Sequence, residues 1–142
     1  MKRIAILNGP NLNLLGTREP EVYGHKTLED LAAEWVAFGQ AKGVEITCFQ
    51  SNVEGELIDA IQAHGFDADA ILINPGGYTH TSVAIRDAIA AVDAPVFEIH
   101  ISHPDAREEF RKNSLVREVC AGGVSGLGVQ GYMAVLESLI TG

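Results

Sequence analysis

The 142-residue sequence predicts an α/β fold: a five-stranded parallel sheet, doubly wound, with helices layered on both faces. Three observations predict it. Short apolar runs recur at Ile4 to Leu7, Val44 to Phe49, Ala70 to Ile73, Val96 to Ile101 and Val119 to Ala121. Segments with apolar residues at helical spacing separate them, and this alternation calls for parallel strands joined by helical crossovers. Polar, glycine-rich stretches follow the strands rather than precede them, on the side where ligands bind in such sheets.

Taken in order, the first strand runs into Asn8-Gly9-Pro10-Asn11. The connection from Gly9 to His25 is long for a structureless loop, which marks it as a lid. Gly16 and Gly24 are its expected hinges, and Leu12, Leu14 and Leu15 its foothold in the core. Thr27 is placed to cap the first helix with Asp30 three residues on. Leu28, Leu31, Trp35 and Phe38 then line one face up to a stop at Gly43, which makes Trp35 a core residue. Leu57, Ile58 and Ile61 mark a second helix closing at Gly65. The third strand enters Asn74-Pro75-Gly76-Gly77-Tyr78-Thr79-His80-Thr81-Ser82 ahead of a helical segment from Val83 to Val92. Paired glycines and polar side chains before a helix N-terminus suit an anionic or hydroxyl-rich small molecule. The fourth strand leads to Glu98-Ile99-His100-Ile101-Ser102-His103-Pro104, and Tyr132, Val135, Leu136 and Leu139 mark the last helix.

Composition narrows the function. The length suits one domain, 1–142, with one sizeable core. No apolar run approaches the roughly 20 residues that cross a bilayer, and Met1-Lys2-Arg3 leads straight into a strand, so a cytoplasmic protein is expected. Cys48 and Cys120 lack metal-ligand spacing and are expected to be buried free thiols. Nineteen acidic residues against ten basic ones, net charge -9, argue against a nucleic-acid partner. Arg18, Arg107 and Arg111 nevertheless lie in or beside the candidate loops, which favours a small anionic metabolite.

Several residues in these loops are able to carry chemistry. Free tyrosine, with a pKa of about 10, is a weak base. Lowering that value by about two to three units takes roughly 3 to 4 kcal/mol of phenolate stabilisation, within reach of one or two guanidinium groups away from water. Tyr23 beside Arg18, with Arg107, is therefore either such a base or an exposed loop tyrosine. Glu98 and His100, two apart on a strand, share a face, so the carboxylate orients the imidazole either for proton donation or merely structurally. His80 either binds a substrate hydroxyl or caps the helix. His100 and His103 in an extended stretch do not make a metal site, and Lys2, Lys26, Lys42 and Lys112 are peripheral to any Schiff-base position. The loops fail the phosphate-binding fingerprints. Gly126-Leu127-Gly128-Val129-Gln130-Gly131 matches G-x-G-x-x-G but lacks the following βαβ unit, and is expected to be a turn into the last helix.

Three segments, Leu7 to Gly16 with Arg18-Glu19-Pro20 and Tyr23-Gly24, then Asn74 to Ser82, then Glu98 to Ser102 with Arg107-Glu108-Glu109-Phe110-Arg111, together resemble type II 3-dehydroquinate dehydratase across almost the whole chain. Gly77 stands where alanine is common and Leu127 where phenylalanine is common; neither carries a reacting group. The resemblance implies a flavodoxin-like fold and a cofactor-free, trans loss of water from 3-dehydroquinate through an enolate, in the shikimate pathway or quinate catabolism. It implies Tyr23 as the base at C2, with Arg18 stabilising its phenolate. His100, oriented by Glu98, is the implied acid at the C1 hydroxyl, and Asn11, with backbone near Pro10 and Gly77, the holder of a water at the enolate oxygen. Asn74, backbone at Ile101 and Ser102, and the Ser102 hydroxyl resemble the carboxylate-binding set. His80 and Arg111 resemble contacts to ring hydroxyls, and Arg107 a member of the closed lid. Asp87, from the residues alone a solvated helix charge paired with Arg86 and opposite Val83 and Ile89, would reach a neighbouring subunit's site in trimers assembling to a homododecamer. A non-catalytic flavodoxin-like module binding a nucleotide, flavin or anionic effector is the competing reading, as is an oligomeric scaffold. The pairing of Arg18 with Tyr23 and the lack of a phosphate loop or aromatic flavin sandwich stand against the former, and the lid against the latter.

Overall fold

The computed structural model describes residues 1–17, 21, 24–103 and 106–141. Five parallel strands, β1 (Arg3–Asn8), β2 (Glu45–Gln50), β3 (Ala70–Asn74), β4 (Val96–His100) and β5 (Gly122–Ser125), form one sheet in the order β2-β1-β3-β4-β5. This is the flavodoxin-like doubly wound order. The chain leaves β1 toward β2 on one side and builds β3, β4 and β5 on the other, so a crevice opens above the carboxyl ends of β1 and β3.

Strand alternation divides the core in two. Ile4, Ile6 and Leu72 face α1 (Leu28–Ala41) and α4 (Gln130–Thr141), where Leu31, Trp35, Tyr132 and Leu136 are buried. Ala5, Leu7, Ile71, Ile73 and Val96 face α2 (Glu54–His64) and α3 (Val83–Ala91), against Leu57, Ile61, Ile85 and Ile89. Burying each such Leu or Ile contributes about 1.5–3 kcal/mol, and with both faces covered the inner strands β1 and β3 carry nearly continuous apolar runs. Trp35 is core, as expected, its ring stacked on Tyr132 with centroids 4.3 Å apart. No helix among the described residues is long and apolar enough to cross a membrane.

Local signals act where the sequence places them. Thr27 and Asp30 form a complete capping box at the start of α1, and Gly43 takes a positive φ of 75° just past its end. Gly65 closes α2 for a different reason. Its φ is an ordinary -67°, but an added Cβ would lie 2.3 Å from the Val92 side chain. Gln130 opens the last helix after two positive-φ glycines, Gly126 and Gly128, so the G-x-G-x-x-G match is a turn.

Three expectations need correction. The fifth strand is Gly122–Ser125 rather than Val119 to Ala121: Val119 closes a short 3-10 turn, Arg117–Val119, and packs with Cys120 on the second core. The true strand is glycine-rich because it passes very close to β4; a Cβ on Gly123 would lie 2.3 Å from the Glu98 carbonyl oxygen. Leu14 is exposed, so only Leu12 and Leu15 anchor the start of the long connection. Arg86 does not pair with Asp87; its guanidinium donates to the Leu115 carbonyl at 2.7 Å and reaches Glu118 at 3.4 Å. Val83 is likewise exposed, one helical turn from the exposed Asp87, and not opposite it.

Candidate active site

A cavity of about 190 Å³ sits over the carboxyl ends of β1, β3 and β4. Parallel register brings these ends level: Asn8 lies beside Asn74, and Ile73 beside Glu98. Gly9 donates its N–H to the Asn74 carbonyl at 2.7 Å, and a Cβ at Gly9 would come within 2.7 Å of the Pro75 oxygen. Only glycine allows these two strand-end loops to touch. Pro10, Asn11, Leu12 and Leu15 supply one wall; Asn74, Gly76, Gly77 and His80 a second; His100, Ile101 and Ser102 the third, with Arg107 and Arg111 at the side. Nine of the residues predicted to form the site therefore converge: Asn11, Asn74, Gly77, His80, His100, Ile101, Ser102, Arg107 and Arg111.

His100 and Glu98 are buried together, 8% and 4% exposed, with Nε2 2.5 Å from Glu98 Oε2. The same oxygen accepts from the Thr79 hydroxyl at 2.6 Å and the Ser114 hydroxyl at 2.8 Å, and Arg117 Nε stands 3.9 Å from Oε1. Burial alone pushes this carboxyl up, but the hydrogen bonds from His100, Thr79 and Ser114 and the imidazole's charge outweigh it and hold Glu98 at about 2. An ionised carboxylate only accepts. Nε2 of His100 therefore carries hydrogen, and among the described residues Nδ1 has no hydrogen-bond partner.

His80 closes the short 3-10 turn Gly76–His80, and its Nδ1 lies 2.6 Å from the Asn113 carbonyl. That carbonyl accepts, so Nδ1 is protonated and Nε2 remains an acceptor for a ligand hydroxyl. It does not cap the following helix. Ser82 does, accepting from the Ile85 N–H at 2.9 Å. Among the described residues, neither the Ile101 nor the Ser102 N–H donates to another backbone group, which leaves two adjacent donors for an anionic oxygen. Arg107 reaches the Ser102 hydroxyl at 3.5 Å, and Glu108 pairs with Arg111, whose guanidinium lies over the Phe110 ring. Asn11 holds a left-handed φ of 71° with its N–H on Asn52 Oδ1 at 3.0 Å. A Cβ at Gly77 would meet nothing within 4 Å, so its difference from alanine has no steric consequence.

Asp87 does not line this cavity. Tyr23 and Arg18 lie outside the described residues; the glycines chosen as their hinges, Gly16 and Gly24, both have positive φ, at 89° and 85°. Sequence reasoning missed Thr79 and Ser114 as partners of Glu98, and read Tyr132 only as a marker of the last helix. Thr79 lay within the highlighted loop, but no local pattern ties Ser114 to a strand 16 residues earlier.

A family model described as "Dehydroquinase class II" matches residues 2–140. This chain belongs to the class II dehydroquinase family. Among the members of that family, the chain is 50% identical over 139 residues to a 3-dehydroquinate dehydratase of Ruegeria pomeroyi, covering 98% of this chain and 93% of the relative. It is 53% identical over 134 residues to the catabolic 3-dehydroquinase 1 of Fusarium vanettenii, covering 94% and 93%. The crystal structure of type II dehydroquinase from Butyrivibrio crossotus superimposes with a TM-score of 0.93 at 45% identity, with 97% of each chain covered. A 3-dehydroquinate dehydratase-like protein from Bifidobacterium longum is more distant, at TM-score 0.73 and 26% identity over 99% of this chain and 97% of that one.

Proposed function

We infer that this chain is a hydro-lyase that converts 3-dehydroquinate to 3-dehydroshikimate, reversibly and by trans elimination. The observation that carries the reading is the buried Glu98–His100 pair opening onto a cavity walled by Asn11, Asn74 and His80. In this reaction a base removes the C2 proton beside the carbonyl, electrons collect on the carbonyl oxygen as an enolate, and the C1 hydroxyl leaves as water when protonated. Tyr23 is the base, its phenolate held by Arg18. A water positioned by Asn11 and backbone at Pro10 and Gly77 donates to the enolate oxygen. His100 gives the Nδ1 proton to the leaving hydroxyl, while Glu98 holds the ring and carries the compensating charge.

Asn74, the N–H groups of Ile101 and Ser102, and the Ser102 hydroxyl take the substrate carboxylate. His80 through Nε2, with Arg111, takes ring hydroxyls, and Arg107 joins the closed lid. Asp87 sits exposed on α3 and is assigned to a neighbouring subunit's site in a trimer-based dodecamer. The enzyme works in the cytoplasm, in shikimate-pathway synthesis or quinate catabolism. Mixing purified protein with 3-dehydroquinate and following ultraviolet absorbance tests the reading directly, since the product is a conjugated enone. A flat trace across about pH 6 to 9 rejects it.

A further inference from the structure

A run of buried hydrogen bonds joins the last helix to the cavity wall. The Gly76 N–H, which only donates, lies 3.1 Å from Asn74 Oδ1 and so identifies that atom as the amide oxygen. Asn74 Nδ2 then faces the Tyr132 hydroxyl at 3.0 Å and donates to it. The phenol, having accepted, gives its own hydrogen to Asn8 Oδ1 at 2.5 Å. The direction of every bond follows from one backbone N–H. Tyr132 is fully buried and its ring is stacked on Trp35, so the hydroxyl has little freedom to swing. Asn8 Nδ2, at the far end, is buried without a partner among the described residues, and nothing there pulls the run the other way.

Asn74 is 3% exposed yet lines the cavity. Its NH2 has two hydrogens, and one is committed to Tyr132. We propose that Tyr132 is a positioning residue of this active site: its hydroxyl locks the Asn74 amide so that the second N–H is held toward bound substrate as a fixed donor. The inference rests on the reading of Asn74 as a substrate-binding residue. Burial pushes the Tyr132 phenol above its ordinary value, so the group remains a hydroxyl throughout the working range and the lock does not open with pH. Tyr132 touches no reacting atom. It acts through Asn74, whose assigned contact is to the non-reacting carboxylate, and its loss weakens ground state and transition state alike.

The test is a double-mutant cycle read on KM and kcat with 3-dehydroquinate, using Tyr132→Phe, Asn74→Ala and the two together. Phenylalanine keeps the ring on Trp35 and removes only the hydroxyl. Tyr132→Phe is expected to raise KM about tenfold, with the change falling on KM rather than kcat, the usual size for one lost hydrogen bond to an ionic partner. In the double variant the Tyr132 substitution should change KM by less than about twofold beyond Asn74→Ala, because its effect passes through that side chain. Effects that multiply, or an unchanged KM in Tyr132→Phe beside a raised one in Asn74→Ala, overturn the inference and leave the site reading intact. An unchanged KM in Asn74→Ala overturns the site reading itself, and the inference with it. Should Tyr132→Phe not fold, Asn8→Ala, which frees the phenol hydrogen and keeps Tyr132, is expected to raise KM about threefold; no rise overturns the proposal.

Discussion

Replacing Glu98 by glutamine removes a charge at nearly constant volume and tests the centre of the site. Three donors converge on its Oε2, and together they hold the carboxyl at about 2 against an ordinary 4.5. At about 1.36 kcal/mol per pH unit, the interval between 4.5 and about 2 corresponds to roughly 3 kcal/mol of stability held by the ionised form. Because the folded value lies below the unfolded one, this contribution is complete above about pH 4.5 and is lost as the pH falls through about 2. An amide has no such dependence. Urea unfolding of both proteins at equal protomer concentration should show Glu98→Gln less stable by about 1–3 kcal/mol at pH 7, the low end applying if the amide oxygen keeps the Thr79 and Ser114 bonds. The gap should narrow steadily below pH 4.5 (about the unfolded carboxylate value). A gap of the same size at pH 7 and pH 3 would refute the reasoning, since it would then come from packing and not from the charge. On the proposed mechanism kcat in the same samples should fall roughly 10²-fold or more, as the His100 proposed as the acid loses its orienting anion.

Removing the two hydroxyls behind Glu98, in Thr79→Val with Ser114→Ala, should move the acid limb of the stability profile upward toward pH 4 (about the ordinary carboxylate range), because bonds to the charged form are what depress the carboxyl; an unmoved limb would assign the depression to His100 alone. Gly123→Ala should cost about 2–4 kcal/mol in denaturant melts, while Gly77→Ala should stay within about 0.5 kcal/mol of the parent, since the first meets the Glu98 carbonyl at 2.3 Å and the second meets nothing. Burial pushes the Cys48 and Cys120 thiols up to about 11 and about 12, so an aromatic disulfide reagent at pH 8 should label neither cysteine while the protein is folded and both once it is unfolded in urea.

The layered architecture was legible because a parallel sheet buried on both faces leaves an unambiguous signal. β1 and β3 are continuous apolar runs, and each ends on an asparagine at the mouth of a glycine-containing loop. β5 was misplaced for the opposite reason. It lies at the sheet edge and must pass against the Glu98 backbone, so close approach selected glycines where an apolar run would otherwise mark the strand. The apolar Val119 and Cys120 just before it serve the core from a 3-10 turn, and apolarity without period does not distinguish the two settings.

The same distinction explains which parts of the site the sequence discloses. Glu98 and His100 share a face because strands repeat every two residues, so their pairing is a local fact readable from spacing. Thr79, Ser114 and Tyr132 reach their partners across 19, 16 and 58 residues, and only the sheet register and helix docking bring them there. Tyr132 is the sharpest case. Its helical spacing with Val135 and Leu136 marks it as core, and it is core; yet a tyrosine carries a hydroxyl that must be satisfied once buried. A phenylalanine would fill the space against Trp35 without that cost. The hydroxyl is therefore accounted for by what it bonds, and its partners are the two asparagines that end β1 and β3, of which Asn74 lines the cavity. A tyrosine at an interior helical position, in a fold whose strand ends are asparagines, is thus a signal that the apolar layer and the binding crevice meet at that residue.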